Sequence, residues 1–394
     1  MTGPTASLPG LVAVAATVKG PPAQVRGFAA RNLRAGADHV VLFVDDADPA
    51  VLRLLAEDDE VASATTAIGT DAAYWGGKDQ WPGNLNRRQG MNANLANALV
   101  STVPRFTWLF HLDLDERLHL DKHRLLAVDP SVRAVELTTW EAISTEHPVE
   151  PTRYKRRPTS EELDDLHRRG LIDKPSVHAF FRGHVGKRGI RPDPRVRLRI
   201  HHAMEPDGKV EIEPVRTEWL HVLHDESDSY DEFVRKWRTL LSSGSFGQKR
   251  RRARVAGLVA PLLTDESLDP AVREQGLREV YRRHAADDVA AIEELGLLTA
   301  PDPAWSAYRP EPLTDGEQET LARVAALLVS APKAAFERFG PPAEQLLQRL
   351  HESEAAGRAD PLVLAGLGSA LSRSGSEPAA EGSAGAVHDE AHRL

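Results

Sequence analysis

The first 145 residues alternate short apolar runs with helical stretches, and this alternation narrows the fold more than any other feature of the chain. Leu11 to Val18 (LVAVAATV) reads as a strand of small and β-branched residues. Pro21 and Pro22 follow, and proline suits the first turn of a helix. Val25, Phe28, Ala29 and Leu33 then share one face of a helix over Gln24 to Arg34, with Gly36 as its C-cap. His39 to Val44 is a second strand, Pro49 to Ala56 a short helix, and Val61 to Ile68 a third strand. Arg87 to Ser101 is helical, Thr107 to Leu112 is a fourth strand, and Ala134 to Ile143 is another. Strands and helices in this rhythm predict an α/β fold, a mostly parallel sheet with helices on both faces.

Two of these strands end in acids. His39 to Val44 runs into Asp45, Asp46 and Asp48; the fourth strand, in WLFHLDLDERL, runs into Asp113, Asp115 and Glu116. In open α/β sheets ligands bind just outside the carboxyl ends of the strands. Carboxylates crowded there repel one another, so a divalent cation is one natural counter-charge. Asp-x-Asp places alternate carboxylates on one side of an extended chain. Oxygen ligands of this kind suit Mg²⁺ or Mn²⁺, above all when substrate phosphates complete the shell. The plain alternative is a solvated acidic turn. A phosphatase-type nucleophilic aspartate fits less well, because the motif lies past residue 110 and continues as Glu-Arg-Leu.

The chain has 394 residues, 41% hydrophobic and 27% charged, ordinary globular material with room for more than one domain. It has no cysteine, which excludes disulfides, thiolate catalysis and cysteine-based zinc sites. No apolar run approaches the roughly 20 residues that span a bilayer. The N-terminus lacks a basic region ahead of its short apolar run, so we expect no signal peptide and a cytoplasmic location. A net charge of −9 argues against nucleic acid as a partner.

Beyond residue 145 the chain turns polar, with a short helix near Ser160 to Arg169, and reads as an insertion or lid. Phe180 to Met204 alternates apolar and basic residues, Val196, Leu198 and Ile200 against Arg195, Arg197 and Arg199, which suggests a hairpin with one basic face. Glu218 to Leu223 is a further apolar segment, and Asp231 to Leu241 an amphipathic helix. A basic run, Gln248 to Arg254, opens a region of helical patterns. The expected organisation is a domain over 9–245, a helical region over 246–372, and a disordered tail over 373–394, poor in apolar residues.

Taken in order, TVKGPPAQV, VDDADP, RRQGMNANLANAL, WLFHLDLDERL, KRGIRPDPRV with HH, and LHVLHDESDSYDEFVRKW resemble the glycosyltransferase family 2 proteins of the GT-A type, in a soluble bacterial branch. The resemblance covers roughly residues 9 to 245. It implies the GT-A nucleotide-diphospho-sugar transferase fold. It also implies a sugar-nucleotide donor (a UDP- or GDP-sugar), Mn²⁺ or Mg²⁺ as cofactor, and transfer with inversion to a hydroxyl of a glycan, lipid-linked or small-molecule acceptor. Residue by residue it makes Asp113 and Asp115 the metal-binding pair, with Glu116 the acid that follows. Asp45 or Asp46, Thr17 and Lys19 become nucleotide contacts, and Gln89 and Asn94 polar positions on the helix under the sugar. Lys187 and Arg191 become a basic pair for phosphate, and His202 or His224 a further metal ligand.

The chain departs from the family in two places. Gly20 and Pro21 follow the first-strand lysine, where many members carry an acid. The general base has no clear motif: Glu141, Glu205, Asp225 and Glu226 all qualify, and Asp225, Glu141 and Glu116 join Asp115 as catalytic candidates. Bland readings stand beside these. Lys187 and Arg191 suit a solvated basic strand face, a histidine among apolar residues is often simply packed, and Trp75 and Trp81 suit loop anchors as well as a sugar platform. Two other classes compete. One is a non-catalytic sugar-nucleotide or glycan-binding protein on a decayed transferase fold. The other is a metal-dependent phosphotransferase or nucleotidyltransferase using the same acids; the latter is disfavoured because no glycine-rich basic loop follows the first strand.

Overall fold

The computed structural model describes residues 9–147, 152–181, 186–226, 228–243, 250–337, 343–356 and 360–375. The start of the basic run at Gln248 and the tail beyond Gly375 lie outside them.

Strand β1 (Leu11–Val18) is buried along its whole length, as expected of a strand covered on both faces. Helix α1 (Pro22–Arg34) follows, with proline at its first position and Val25, Phe28, Ala29 and Leu33 on its buried face. Then come β2 (His39–Asp45), α2 (Pro49–Glu57), β3 (Thr65–Thr70), α3 (Leu85–Val100) and β4 (Phe106–His111). The third strand starts four residues later than its pattern suggests, because Ala62–Ala64 forms a 3-10 turn. These strands are mutually parallel in the order β3-β2-β1-β4. The order reverses between β1 and β4, which opens a Rossmann-like crevice at their carboxyl ends.

The chain then adds β5 (Glu116–Leu120), α4 (Lys122–Leu126), β6 (Ala134–Ala142), β7 (Tyr154–Lys155), α5 (Ser160–Arg168), α6 (Val177–Phe180) and β8 (Lys187–Ile190). Next are the short hairpin strands β9 (Arg197–Leu198) and β10 (Ala203–Met204), and the long β11 (Val215–His224). The sheet extends from β4 through β8 and β6 to β11 and β5. Strands β5, β7 and β8 run against the others, so the sheet is mixed but mostly parallel. The expected basic hairpin over Phe180 to Met204 is replaced by these pieces. Its first part, β8, enters the main sheet, and Val196 and Leu198 join the core.

Helices α7 (Tyr230–Ser243), α8 (Arg250–Thr264) and α9 (Pro270–His284) share a core built on Phe233, Trp237, Val259 and Tyr281. Helices α5 and α6 pack with α10 (Val289–Glu294) and β12 (Leu298–Thr299) around Leu166, Phe180, Ile292 and Leu297. Helices α11 (Asp315–Ser330), α12 (Ala343–Ala356) and α13 (Pro361–Gly375) bury Val324, Leu328, Leu347 and Leu367 in the same core as Leu95 and Leu99 of α3. Helix α13 continues three residues into the stretch expected to be disordered. There the Arg373 guanidinium donates to the carbonyls of Val103, Phe106 and Pro192. Among the described residues no helix is long and apolar enough to cross a membrane.

Candidate functional site

Strand direction brings the acids together. The carboxyl ends of β1, β2, β4, β6 and β11 share one edge of the sheet, and β5 and β8, running the other way, begin at that edge. Strand β11 lies between β5 and β6, with His224 in register with Glu116 on one side and Glu141 on the other. The residues that predict chemistry therefore sit at one end of the sheet: Asp113 and Asp115 after β4, Glu116 opening β5, Lys187 opening β8, and Glu141 and His224 near the ends of β6 and β11.

Asp113 is held from two sides. Gln89 of α3 donates to its Oδ1 at 2.6 Å, and Lys187 Nζ is 2.7 Å from Oδ2. Lys187 also lies 3.2 Å from Glu116 Oε2, which accepts the Asp113 N–H at 2.7 Å. Glu116 is thus a buried brace for the turn that carries Asp113. Burial pushes its carboxyl up, to about 7, against the pull of Lys187. Burial would lower Lys187 in turn, but Asp113 and Glu116 outweigh it and hold the ammonium above its ordinary range.

Asp115 faces a second group of side chains. Lys236 Nζ of α7 is 2.9 Å from its Oδ2, and His224 Nε2 is 3.8 Å from the same oxygen. Lys236 also lies 2.6 Å from Glu226 Oε1, and His224 Nε2 lies 3.9 Å from Glu226 Oε2. Glu141 holds the other face of the histidine, with both its oxygens about 3 Å from Nδ1. Burial alone would raise Asp115; Lys236 and His224 overcome it and hold the acid at about 2. Burial alone would lower His224; Glu141, Asp115 and Glu226 raise it to about 10. Asp225 follows in the chain, its N–H donating to the Asp115 carbonyl and its Oδ1 accepting from the Tyr154 hydroxyl at 3.0 Å. Glu141, His224 and Glu226 present donor atoms within 4.8 Å of one another. Carboxylate oxygens with one imidazole nitrogen are a chemistry that fits Mn²⁺ or Mg²⁺, and Asp115 Oδ2 stands 3.8 Å from the same histidine. Glu141 on Nδ1 leaves Nε2 to face the cluster, the usual way a carboxylate orients a ligating histidine.

The second acidic strand end lines a cavity of about 360 Å³ at the ends of β1 and β2. Its walls are Val18, Pro21, Pro22, Val25, Val44 and Val51, and Lys19, Asp45, Asp46 and Asp48 supply its polar atoms. Asp45 is buried and bound by Arg88 of α3 at 2.7 Å. Asp46 and Ala47 take left-handed backbone conformations, φ 62° and 50°, and Asp46 pairs with the exposed Lys19. Thr17 accepts from Asn92 at 2.9 Å, and Asn92 in turn accepts from the Tyr74 hydroxyl. The cavity and the acid cluster adjoin: a Cβ on Gly20, in the cavity wall, would come within 3.1 Å of Leu114, between the two aspartates.

The structure separates the other candidates from this crevice. Asn94 spends its amide on the core, donating to Gly90, Leu198 and Phe336 carbonyls and accepting the Leu198 N–H. Arg191 donates to the carbonyls of Val128, Asp129 and Val132 and stacks on Trp108, a packing role that its place in the sequence does not reveal. His202 pairs with Glu211, and Glu205 with Arg133, on the hairpin side of the molecule. Trp75 is buried in edge contact with Tyr74, and Trp81 lies under Arg88, so both anchor their loop. Sequence reasoning passed over Lys236, Arg88, Asn92 and Tyr154. The signal for Lys236 was its place in VRKW, one residue before the buried Trp237 of an amphipathic helix.

No protein-family model matches the sequence, and no curated protein aligns with it significantly. Among solved structures, HddC from Yersinia pseudotuberculosis aligns with 34% of this chain at 11% identity and a TM-score of 0.22. The chain covers 60% of that protein's length. A likeness at that score carries no functional argument.

Proposed function

We propose that this protein is a metal-dependent glycosyltransferase of the GT-A type, moving a sugar from a nucleoside-diphosphate donor to an acceptor hydroxyl with inversion. The supporting observation is the pair of neighbouring features at the β1/β4 switch point, an apolar slot at the ends of β1 and β2 and an acid cluster with a metal-type donor set beyond Leu114. The slot has the shape and chemistry for a nucleobase and ribose: valine and proline walls, with Lys19, Asp45 and Asp46 at the rim. The acids at the end of β4 sit where a diphosphate would leave it.

In this reading Asp115, His224 and Glu226 hold the cation, Glu141 orients the histidine, and Asp113 faces the ribose side of the crevice. A bound divalent ion supplies stabilisation of the charge that grows on the departing diphosphate. Asp225 takes the part of the general base. It follows His224 at the end of β11 and is held by the Tyr154 hydroxyl, and in this reading it accepts the proton of an acceptor hydroxyl. Lys187 holds Asp113 and Glu116 in place, a positioning role.

The test is a thermal-shift panel of nucleotide sugars with and without Mn²⁺, followed by turnover with the ligand that stabilises most. A donor that binds only the native state raises the melting temperature by mass action. A panel in which no nucleotide sugar stabilises the protein in Mn²⁺ contradicts the proposal.

A further inference from the structure

The acid cluster contains a cation of its own. Lys236 reaches from α7 to Asp115 Oδ2 at 2.9 Å and Glu226 Oε1 at 2.6 Å. His224 Nε2 approaches the same two carboxylates, at 3.8 and 3.9 Å. The ammonium therefore occupies the ground between the groups that the preceding proposal assigns to the metal. Its helix cannot swing away to make room. Tyr230, Phe233 and Trp237 fix α7 in a core with Val259 and Tyr281. Only the four-carbon stem of the lysine can move, and its side chain is 23% exposed.

We propose that Lys236 is a built-in counter-cation that competes with the divalent ion for Asp115 and Glu226, so that metal loading displaces its ammonium into the crevice. Without metal, the lysine neutralises carboxylates that would otherwise repel one another. With metal, two positive centres cannot share Asp115 Oδ2, because their mutual repulsion at such range is large in a partly buried site. The stem lets the ammonium pivot out while the helix stays. The displaced ammonium is a point charge with three donors, suited to an anionic group arriving at the same place. This inference rests on the metal reading above and adds that the site's own lysine sets how tightly the metal binds.

The test is a Mn²⁺ titration without nucleotide, following the free-ion paramagnetic resonance signal, on the wild-type protein, Lys236→Gln and Lys236→Arg. Gln keeps a hydrogen-bond donor but removes the competing charge, so Mn²⁺ should bind roughly tenfold tighter or more. Arg keeps the charge, so its affinity should stay at or below that of the wild type. Near-UV dichroism checks that each variant is folded. Equal or weaker Mn²⁺ binding by Lys236→Gln overturns the competition and makes Lys236 a structural tie for the two carboxylates. Mn²⁺ binding to none of the three proteins overturns the metal reading itself, and the competition with it.

Discussion

The two acidic strand ends of this molecule look alike in sequence and are built differently. At the end of β2 the balancing cations are local, with Arg88 of the neighbouring helix on Asp45 and Lys19 on Asp46. At the end of β4 they come from afar, Lys187 from β8 and Lys236 from α7, joined by His224 from β11. The first end frames an apolar slot; the second gathers Asp113, Asp115, Glu116, Glu141 and Glu226 around two lysines and one histidine. An acid cluster assembled from five separate segments costs more to build than a capped turn, which is why we place the chemistry there and the recognition of the base at β2.

The largest expected effect lies at the β4 end. Asp115→Asn should lower transfer by on the order of a thousandfold, through loss of charge stabilisation on the leaving group. It should also cost stability, because Asp115 is paired with Lys236 and His224 and not merely crowded by other acids. Transfer kinetics and thermal melting read the two consequences separately. Retention of most of the activity in saturating Mn²⁺ would remove Asp115 from the metal site.

Next comes the β2 end. Arg88→Met strands Asp45, whose side chain is 1% exposed, and should cost about 3 kcal/mol of unfolding free energy, measured in urea. A cost below ~1 kcal/mol would mean that Asp45 finds another partner, with Thr70 Oγ1 at 3.4 Å the nearest.

The pH dependence is smaller and is carried by buried histidines. Burial depresses His111 to about 3 and His39, His119 and His221 to about 4, so each is neutral in the fold. The unfolded chain binds their protons from about pH 6.5 downward, so stability is lost as pH falls through that value toward 4. Glu116, raised by burial, works the other way between its ordinary range and about 7, and so does His224 above about 6.5, two groups against four. His224 contributes stability that is full below 6.5 and is lost as pH rises through about 10. Melting temperature should therefore peak near neutral pH and fall by a few degrees between pH 6.5 and 5, where the four histidines prevail. A flat profile would show that these rings find proton partners in the fold. The smallest effect belongs to Lys19→Met, which breaks an exposed pair and should change stability by less than ~0.5 kcal/mol while weakening nucleotide binding.

Much of the fold was legible because it is carried by local pattern. The apolar runs at 11–18, 39–44 and 107–112 and the helical faces of α1 and α3 mark the Rossmann-like half almost to the residue. What escaped was set by long-range pairing. Strand β5 was hidden because Glu116 reads as the end of an acidic turn, while β11 makes it the start of a strand by pairing Glu116 with His224. The site was legible where one strand carries it, as in Asp113 and Asp115. It was not legible where side chains arrive from distant elements. Lys236 looks like any surface lysine of an amphipathic helix until α7 is docked. Arg191 looks like half of a phosphate clamp until its guanidinium is seen on three carbonyls.

The central claim is that the two acidic ends act together, one holding the nucleoside and the other its diphosphate through a metal. Calorimetric titration of UDP and GDP into the wild-type protein and Asp115→Asn, each in Mn²⁺ and in EDTA, tests it most directly. One nucleoside diphosphate should bind the wild type about tenfold or more tightly in Mn²⁺ than in EDTA, and Asp115→Asn should erase the difference. Equal affinity with and without metal in the wild type, or no binding of either nucleotide, would contradict it.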